Sequence, residues 1–326
     1  MKRQILGLLM CCFIAPLGLA QAAETVKIGY LPYPDLAEVM VAVDKGFFAK
    51  YNIEPVLEKD FSTGSDIFVA VVSGQVDVGI NATMNTVTAI SGGGFENVRI
   101  LHTGSGYTAS PLDGKYTKAL LVSLTSNTDI TEDPLTWQGK SLGSNTPGDL
   151  LEFAVQEQIV DKGGKANMEI VGTGGFHMVQ QMMDQGLIDI GFVIEPFVSF
   201  VMSTGNYKII GTPWAMWGNE VQALSWATNT DFLENSPEAA KGTANAFSDA
   251  IDWINDPNND AEYKDIMAKW SGMPMELLDT LRYSLFAKEL DVGALQSYIG
   301  RIVEYGVIDE EINISDYIAD VCPSTL

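Results

Sequence analysis

Three cysteines and two histidines are all that 326 residues supply of the softer metal ligands and of the commonest nucleophile–base pair. Cys11 and Cys12 lie in the apolar start of the chain, which leaves Cys322 beyond it. An intramolecular disulfide is then impossible, and a structural zinc site or a Cys–His pair has almost nothing to be built from. There is no Gly-x-Ser-x-Gly elbow and no Gly-x-x-x-x-Gly-Lys-Ser/Thr loop, and Gly172-Thr-Gly-Gly175 lacks the spacing of a dinucleotide turn. Basic residues are scarce too: 19 Lys and Arg stand against 42 Asp and Glu, a formal charge of −23. A surface of that sign is repelled by nucleic acid and by anionic membranes. Past residue 22 no run is apolar for long enough to span a bilayer. Carboxylate pairs are the one catalytic constellation that this composition leaves open.

What is present begins with a leader. Met1-Lys-Arg, the apolar stretch from Ile5 to Leu19 and the small-x-small Ala20-Gln-Ala22 read as a secretory signal peptide over residues 1–22. A lipid anchor would want a cysteine at the cleavage point, where alanine stands. The mature protein is therefore expected in the periplasm, with roughly 300 residues, room for two lobes of ordinary domain size.

One stretch is written twice. Thr63-Gly-Ser-Asp runs as a helix to Gly74 and then a β-branched strand with Asp77 and Gly79; Thr173-Gly-Gly-Phe does the same through Gly186, Asp189 and Gly191. Aligned on the glycines, the two copies keep a single offset. In each, Gly is expected just past the helix end, because it alone enters the left-handed conformation freely. Strands alternate with helices on both sides of the first copy: Val26–Tyr30, helix Leu36–Asp44, a second strand from Phe47-Phe48 and Ile53 to Leu57, and strand Val98–His102. The fold class expected is α/β, two lobes each with a mainly parallel sheet covered by helices, and a ligand cleft between them. Lobe one is expected to hold residues 23–122 and 220–326, lobe two 123–219, with Lys118–Leu124 leaving the first lobe and Val221–Ala227 returning to it. The region after Pro237 reads as helical cover, too helical for a third sheet.

In order along the chain, Ile28-Gly-Tyr30, Lys45-Gly-Phe-Phe48, Phe61-Ser-Thr-Gly64, Ser73-Gly-Gln-Val-Asp-Val-Gly79, Leu135-Thr-Trp-Gln-Gly-Lys140, Gly186-Leu-Ile-Asp189 and Glu195-Pro-Phe197 resemble the periplasmic substrate-binding proteins of ABC importers in the taurine, aliphatic sulfonate and thiamine-pyrimidine group. The resemblance implies a type II periplasmic-binding-protein fold and a monomer that hands a small ligand to a permease and its ATPase. It implies no catalytic residue, no cofactor and no metal. A pyrimidine-synthase branch of the same fold carries a cysteine-rich loop that this chain does not have. Two places depart from the pattern: Ile194 stands where an aromatic is frequent, and Tyr107–Lys118 is longer and more polar than the usual connection.

Ligands of such sheets sit beyond the carboxyl ends of the strands, which makes Tyr33, Ser62, Asn81, Thr83, Thr146, His177 and Glu195 the candidates, with Trp217 as an apolar wall beside Trp214 and Trp226. The six loops concerned contain no Lys or Arg, so a phosphate ester or dicarboxylate, normally met by a cationic fork, fits poorly. A taurine-like zwitterion or sulfonate held by the helix starts at Thr63, Thr146 and Thr173 fits better, with Glu195 facing its ammonium. The alternative is a pyrimidine or other neutral nitrogen heterocycle, with the same Glu accepting from an exocyclic amine.

Overall fold

The computed structural model describes residues 22–145, 147, 150–218 and 220–325. The expected leader up to residue 21, and Thr146 and Asp149, lie outside them. The first sheet begins with β1 (Glu24–Gly29), β2 (Ile53–Glu58), β3 (Val78–Ala82) and β4 (Val98–Thr103), with α1 (Ala37–Asp44), α2 (Phe47–Lys50), α3 (Gly64–Val72) and α4 (Thr83–Ser91) between them. β5 (Ser105–Thr108) leads out of this lobe. β6 (Leu120–Leu124), β7 (Ser141–Ser144), β8 (Glu169–Gly172), β9 (Ile190–Val193) and β10 (Tyr207–Gly211) form the second sheet, with α5 (Leu150–Asp161), α6 (Phe176–Asp184) and α7 (Phe197–Ser203). β11 (Glu220–Val221) and β12 (Leu224–Asn229) bring the chain back, and α8 (Thr230–Asn235), α9 (Pro237–Asn255), α10 (Asp260–Ser271), α11 (Met275–Leu278), β13 (Leu285–Phe286) and α12 (Val292–Glu304) follow.

The two sheets are the same design. Strand order is β2-β1-β3-β12-β4 in one and, read in the matching direction, β8-β7-β9-β6-β10 in the other. In each, a central strand pairs in parallel with two neighbours, and a crossing strand lies antiparallel beside the third. The repeated residues explain the likeness. Gly74 and Gly186 take φ of 72° and 68° directly after α3 and α6, the left-handed turn expected there. Asp77 accepts the Lys27 amide at 2.8 Å and Asp189 accepts the Ser141 amide at 2.9 Å, so each aspartate ties the start of its own strand to the neighbouring one. Gly79 and Gly191 lie under α3 and α6, where an added Cβ would overlap Ile67 and Val71 in one lobe and Val179 and Met183 in the other. Gly79→Ala and Gly191→Ala are therefore each expected to cost about 1–3 kcal/mol through overpacking; urea melts that move by a few tenths would mean the helices stand off the sheet.

The first lobe owes its larger core to the carboxyl-terminal helices. The small-residue face of α9, with Ala239, Ala240, Ala244 and Ala246 buried, brings Phe247 onto Phe48 at 5.9 Å and stacks it on Trp226 at 4.5 Å. α12 packs Leu295, Ile299 and Ile302 into a second cluster that includes Leu150 and Ala154 of α5, so it touches both lobes. No helix among the described residues is long and apolar enough to cross a membrane.

Three expectations are corrected. Phe47 and Phe48 lie in one turn of helix, because Gly46 at φ 69° reverses the chain straight into α2, and the strand starts at Ile53. The division after residue 122 falls inside β6, which belongs wholly to the second sheet. A third sheet does exist: β5 is flanked antiparallel by β11 and β13, so the outgoing and returning segments between the lobes are hydrogen-bonded together and to a strand of the carboxyl-terminal region.

Candidate functional site

Between the two sheets lies a cavity of about 130 Å³. Its first-lobe side sets a few polar groups among apolar ones such as Leu31, Leu36, Ile80 and Leu224. The loop after β1 brings Tyr33 and Asp35, the start of α3 brings Gly64 and Ser65, the end of β3 brings Asn81 and the first turn of α4 brings Asn85. Thr63 and Asp66 make a reciprocal capping box, with Asp66 N donating to Thr63 Oγ1 at 3.2 Å and Asp66 Oδ2 accepting from Thr63 N at 2.9 Å. First-turn amides of an α-helix have no partner within it, and two of the residues that carry them in α3, Gly64 and Ser65, line the cavity. The second-lobe side is aromatic. Phe176 meets Phe192 edge-on at 5.7 Å, and Phe192 meets Trp214 at 6.3 Å. Trp214 Nε1, shielded from solvent, has no hydrogen-bond partner among the described residues. Gln158 of α5 fixes its short turn by donating to the carbonyls of Thr212 and Pro213.

Behind the first-lobe side lies a buried charge cluster. Asp35 is 1% exposed and Lys118 fully buried, and the Lys118 ammonium donates to Asp35 Oδ1 and to Ser284 Oγ. Tyr107 donates its hydroxyl to Asp35 Oδ2 at 3.4 Å. Burial holds the Tyr107 phenol above its ordinary pKa, so it stays a donor. Glu195 is fully buried and accepts from Ser199 N at 3.1 Å, Ser199 Oγ at 3.1 Å and Arg282 N at 3.0 Å. The Arg282 guanidinium in turn donates to the carbonyls of Leu112 and Thr117. Burial raises the Glu195 carboxyl, against the pull of its Arg282 and Ser199 hydrogen bonds and of Lys118. Burial lowers the Lys118 ammonium, and Glu195 opposes it; Asp35, in direct contact, adds to that opposition and favours the charged form.

Of the residues expected at the site, Tyr33 and Asn81 line the cavity. Ser62 is exposed, with its amide held by Asp66. Thr83 is fully buried at the start of α4. His177 is exposed in the first turn of α6, its ring against Gly175. Trp217 packs on Tyr298 at 5.6 Å, in the cluster under α12. Glu195 braces the loop before α7 and ties it to residue 282, instead of facing the cavity. Thr146 lies outside the described residues. The lining side chains that were not foreseen are mostly next-door neighbours: Asp35 beside the prolines, Ser65 beyond Ser62, Phe176 before His177, Ile194 before Glu195. Asp35 sits in the loop flagged by its prolines, and that was the signal available for it.

Cavity, mirrored sheets and crossing strands together fit one sequence family, and residues 20–270 match its model. The chain belongs to the NMT1-like family. No curated protein matches the sequence. Among solved structures, this NMT1-like chain is similar to the periplasmic aliphatic sulphonate binding protein SsuA from Escherichia coli, with 15% identity, TM-score 0.68, and 93% of this chain and 94% of that one covered. It is similar to the periplasmic nitrate-binding protein NrtA from Synechocystis PCC 6803 at 17% identity, TM-score 0.66, over 92% and 86% of the two chains. The desulfurization enzyme DszB has the same fold at 12% identity, TM-score 0.62, over 91% and 96%. The NMT1-like chain thus has the two-lobed periplasmic-binding-protein fold.

Proposed function

We propose that this protein is a periplasmic solute-binding protein, exported by its leader, that captures a small ligand between its lobes and delivers it as a monomer to an ABC permease and its ATPase. The observation that carries the reading is the cavity with one wall from each lobe: a ligand touching both favours the closed arrangement, which a permease can read. The lobes divide at the crossings, with residues up to 119 and from 220 onward in one and 120–218 in the other.

The cavity volume is well below the ~300 Å³ at which drug-sized sites begin, so the ligand is small. A taurine-like zwitterion would place its sulfonate on the Gly64 and Ser65 amides and its amine towards Asp35. A neutral nitrogen heterocycle is the second reading, favoured by the Phe176–Phe192–Trp214 wall and by three asparagines, Asn81, Asn85 and Asn145, along the rim.

A thermal-shift screen against sulfonates, amino acids, pyrimidines and purines should find a compound that stabilises by about 2.7 kcal/mol at 100 times its Kd. Small-angle scattering should then show compaction with that compound, and recovery of the compound unchanged separates carrier from enzyme. Absence of compaction at saturation, in protein first stripped by unfolding and refolding, would defeat the capture mechanism. Trp214→Phe keeps the wall and removes one N–H, and should weaken that compound about 5–10-fold, near 1–1.4 kcal/mol. Unchanged affinity would remove Trp214 from the site.

A further inference from the structure

We propose that Lys118 sets the charge specificity of the cavity: by occupying Asp35 from behind, it admits ligands without net positive charge and turns cations away. This rests on the binding reading above. Among the described lining residues Asp35 is the one carboxylate, and no ammonium or guanidinium lines the cavity beside it. A bare carboxylate at that place would draw in any small cation. It is not bare, since Lys118 and the Tyr107 hydroxyl take an oxygen each.

Lys118 sits in a set of opposed charges. Glu195 approaches it from the second lobe, Arg282 is anchored on the carbonyl of the adjoining Thr117, Ser284 accepts from it, and the Tyr107 ring lies 5.3 Å from its nitrogen. Asp35 and Glu195 stand against Lys118 and Arg282, and Asp113 acts on Arg282 as well. An ammonium arriving at Asp35 would add a third positive charge to this buried set, close to Lys118 and shielded from water, where like charges repel most strongly. A neutral N–H meets no such barrier, because a carboxylate has lone pairs to spare after two hydrogen bonds. The amine of a zwitterion brings its own counter-charge. Lys118 itself does not line the cavity, so it acts as a positioning and charge-setting residue through Asp35.

Three two-carbon probes separate the possibilities: ethylammonium, ethanesulfonate and taurine, titrated by calorimetry into the wild-type protein, Lys118→Met and Asp35→Asn. Wild type should bind ethylammonium weakest of the three. Lys118→Met, with Asp35 unopposed, should gain tenfold or more for ethylammonium. Asp35→Asn, with Lys118 freed from its contacting carboxylate, should gain tenfold or more for ethanesulfonate, and it decides the matter alone if Lys118→Met does not fold. A purely structural ion pair would alter stability without reversing these preferences. A folded variant that binds the probes in the wild-type order overturns the charge role while leaving the cavity reading intact. No binding of any probe by wild type and both variants overturns this proposal, while the cavity reading stands or falls separately with the thermal-shift screen.

Discussion

Lys118→Met is expected to lose about 3–5 kcal/mol of folding stability in chemical denaturation, the usual result of leaving one partner of a buried ion pair behind. The methionine nearly fills the space, so the loss comes from Asp35, which at 1% exposure loses the counter-charge in contact with it and keeps the Tyr107 hydroxyl. Adding Asp35→Asn should restore most of that stability, because two neutral side chains of similar volume need no counter-charge. Restoration is the decisive part. A double variant no more stable than Lys118→Met alone would mean that the lysine stem, not the charge pair, supports this region.

Glu195→Ala should cost on the order of 3 kcal/mol, since it strands the buried amides of Ser199 and Arg282 as well as the Ser199 hydroxyl, and each unmet donor costs about 1–3 kcal/mol. It also removes one of the two negative charges set against Lys118 and Arg282. Glu195→Gln is the finer probe. Its carbonyl oxygen can still accept from Arg282 and the Ser199 hydroxyl, but its NH₂ meets the Ser199 amide donor to donor, so stability should fall by about 1–3 kcal/mol. Affinity for the ligand found by screening should stay within about twofold, or ~0.4 kcal/mol. A large loss of affinity with little loss of stability would return Glu195 to the cavity wall.

The repeated unit was legible because its residues do backbone work. Gly74 and Gly186 end helices, Gly79 and Gly191 let helices approach strands, and Asp77 and Asp189 hold strand starts; each job restricts the residue type and so marks the sequence. The hinge sheet was not legible. Ser105–Thr108, Glu220–Val221 and Leu285–Phe286 are two to four residues long, too short for any alternation to register, and they meet only after the lobes are built. At the site, the loops were foreseeable from the strand–helix rhythm, whereas depth within a loop was not. Glu195 and Ile194 are adjacent, yet the carboxylate turns into the interlobe cluster and the isoleucine reaches the cavity. Trp214 and Trp217 share one short turn, and nothing local tells which of them faces the cleft. The polar stretch Tyr107–Lys118 found its explanation in Arg282, far along the chain, which holds two of its carbonyls.

The strand order of the first sheet has a consequence for how the chain is made. β4 is bonded to β12 as its neighbour in that sheet, and β12 also covers the open side of β3. As the chain leaves the ribosome, β1 to β3 can assemble early, but β4 must wait for the whole second lobe to be synthesised before its partner arrives. At about 5–20 residues per second that is roughly ten seconds with an unpaired strand and an open sheet edge. The second lobe waits about half as long, since β6 ends at Leu124 and its partner β9 begins at Ile190. Left to fold during synthesis, this chain would complete its lobes in reverse order, the interrupted one last.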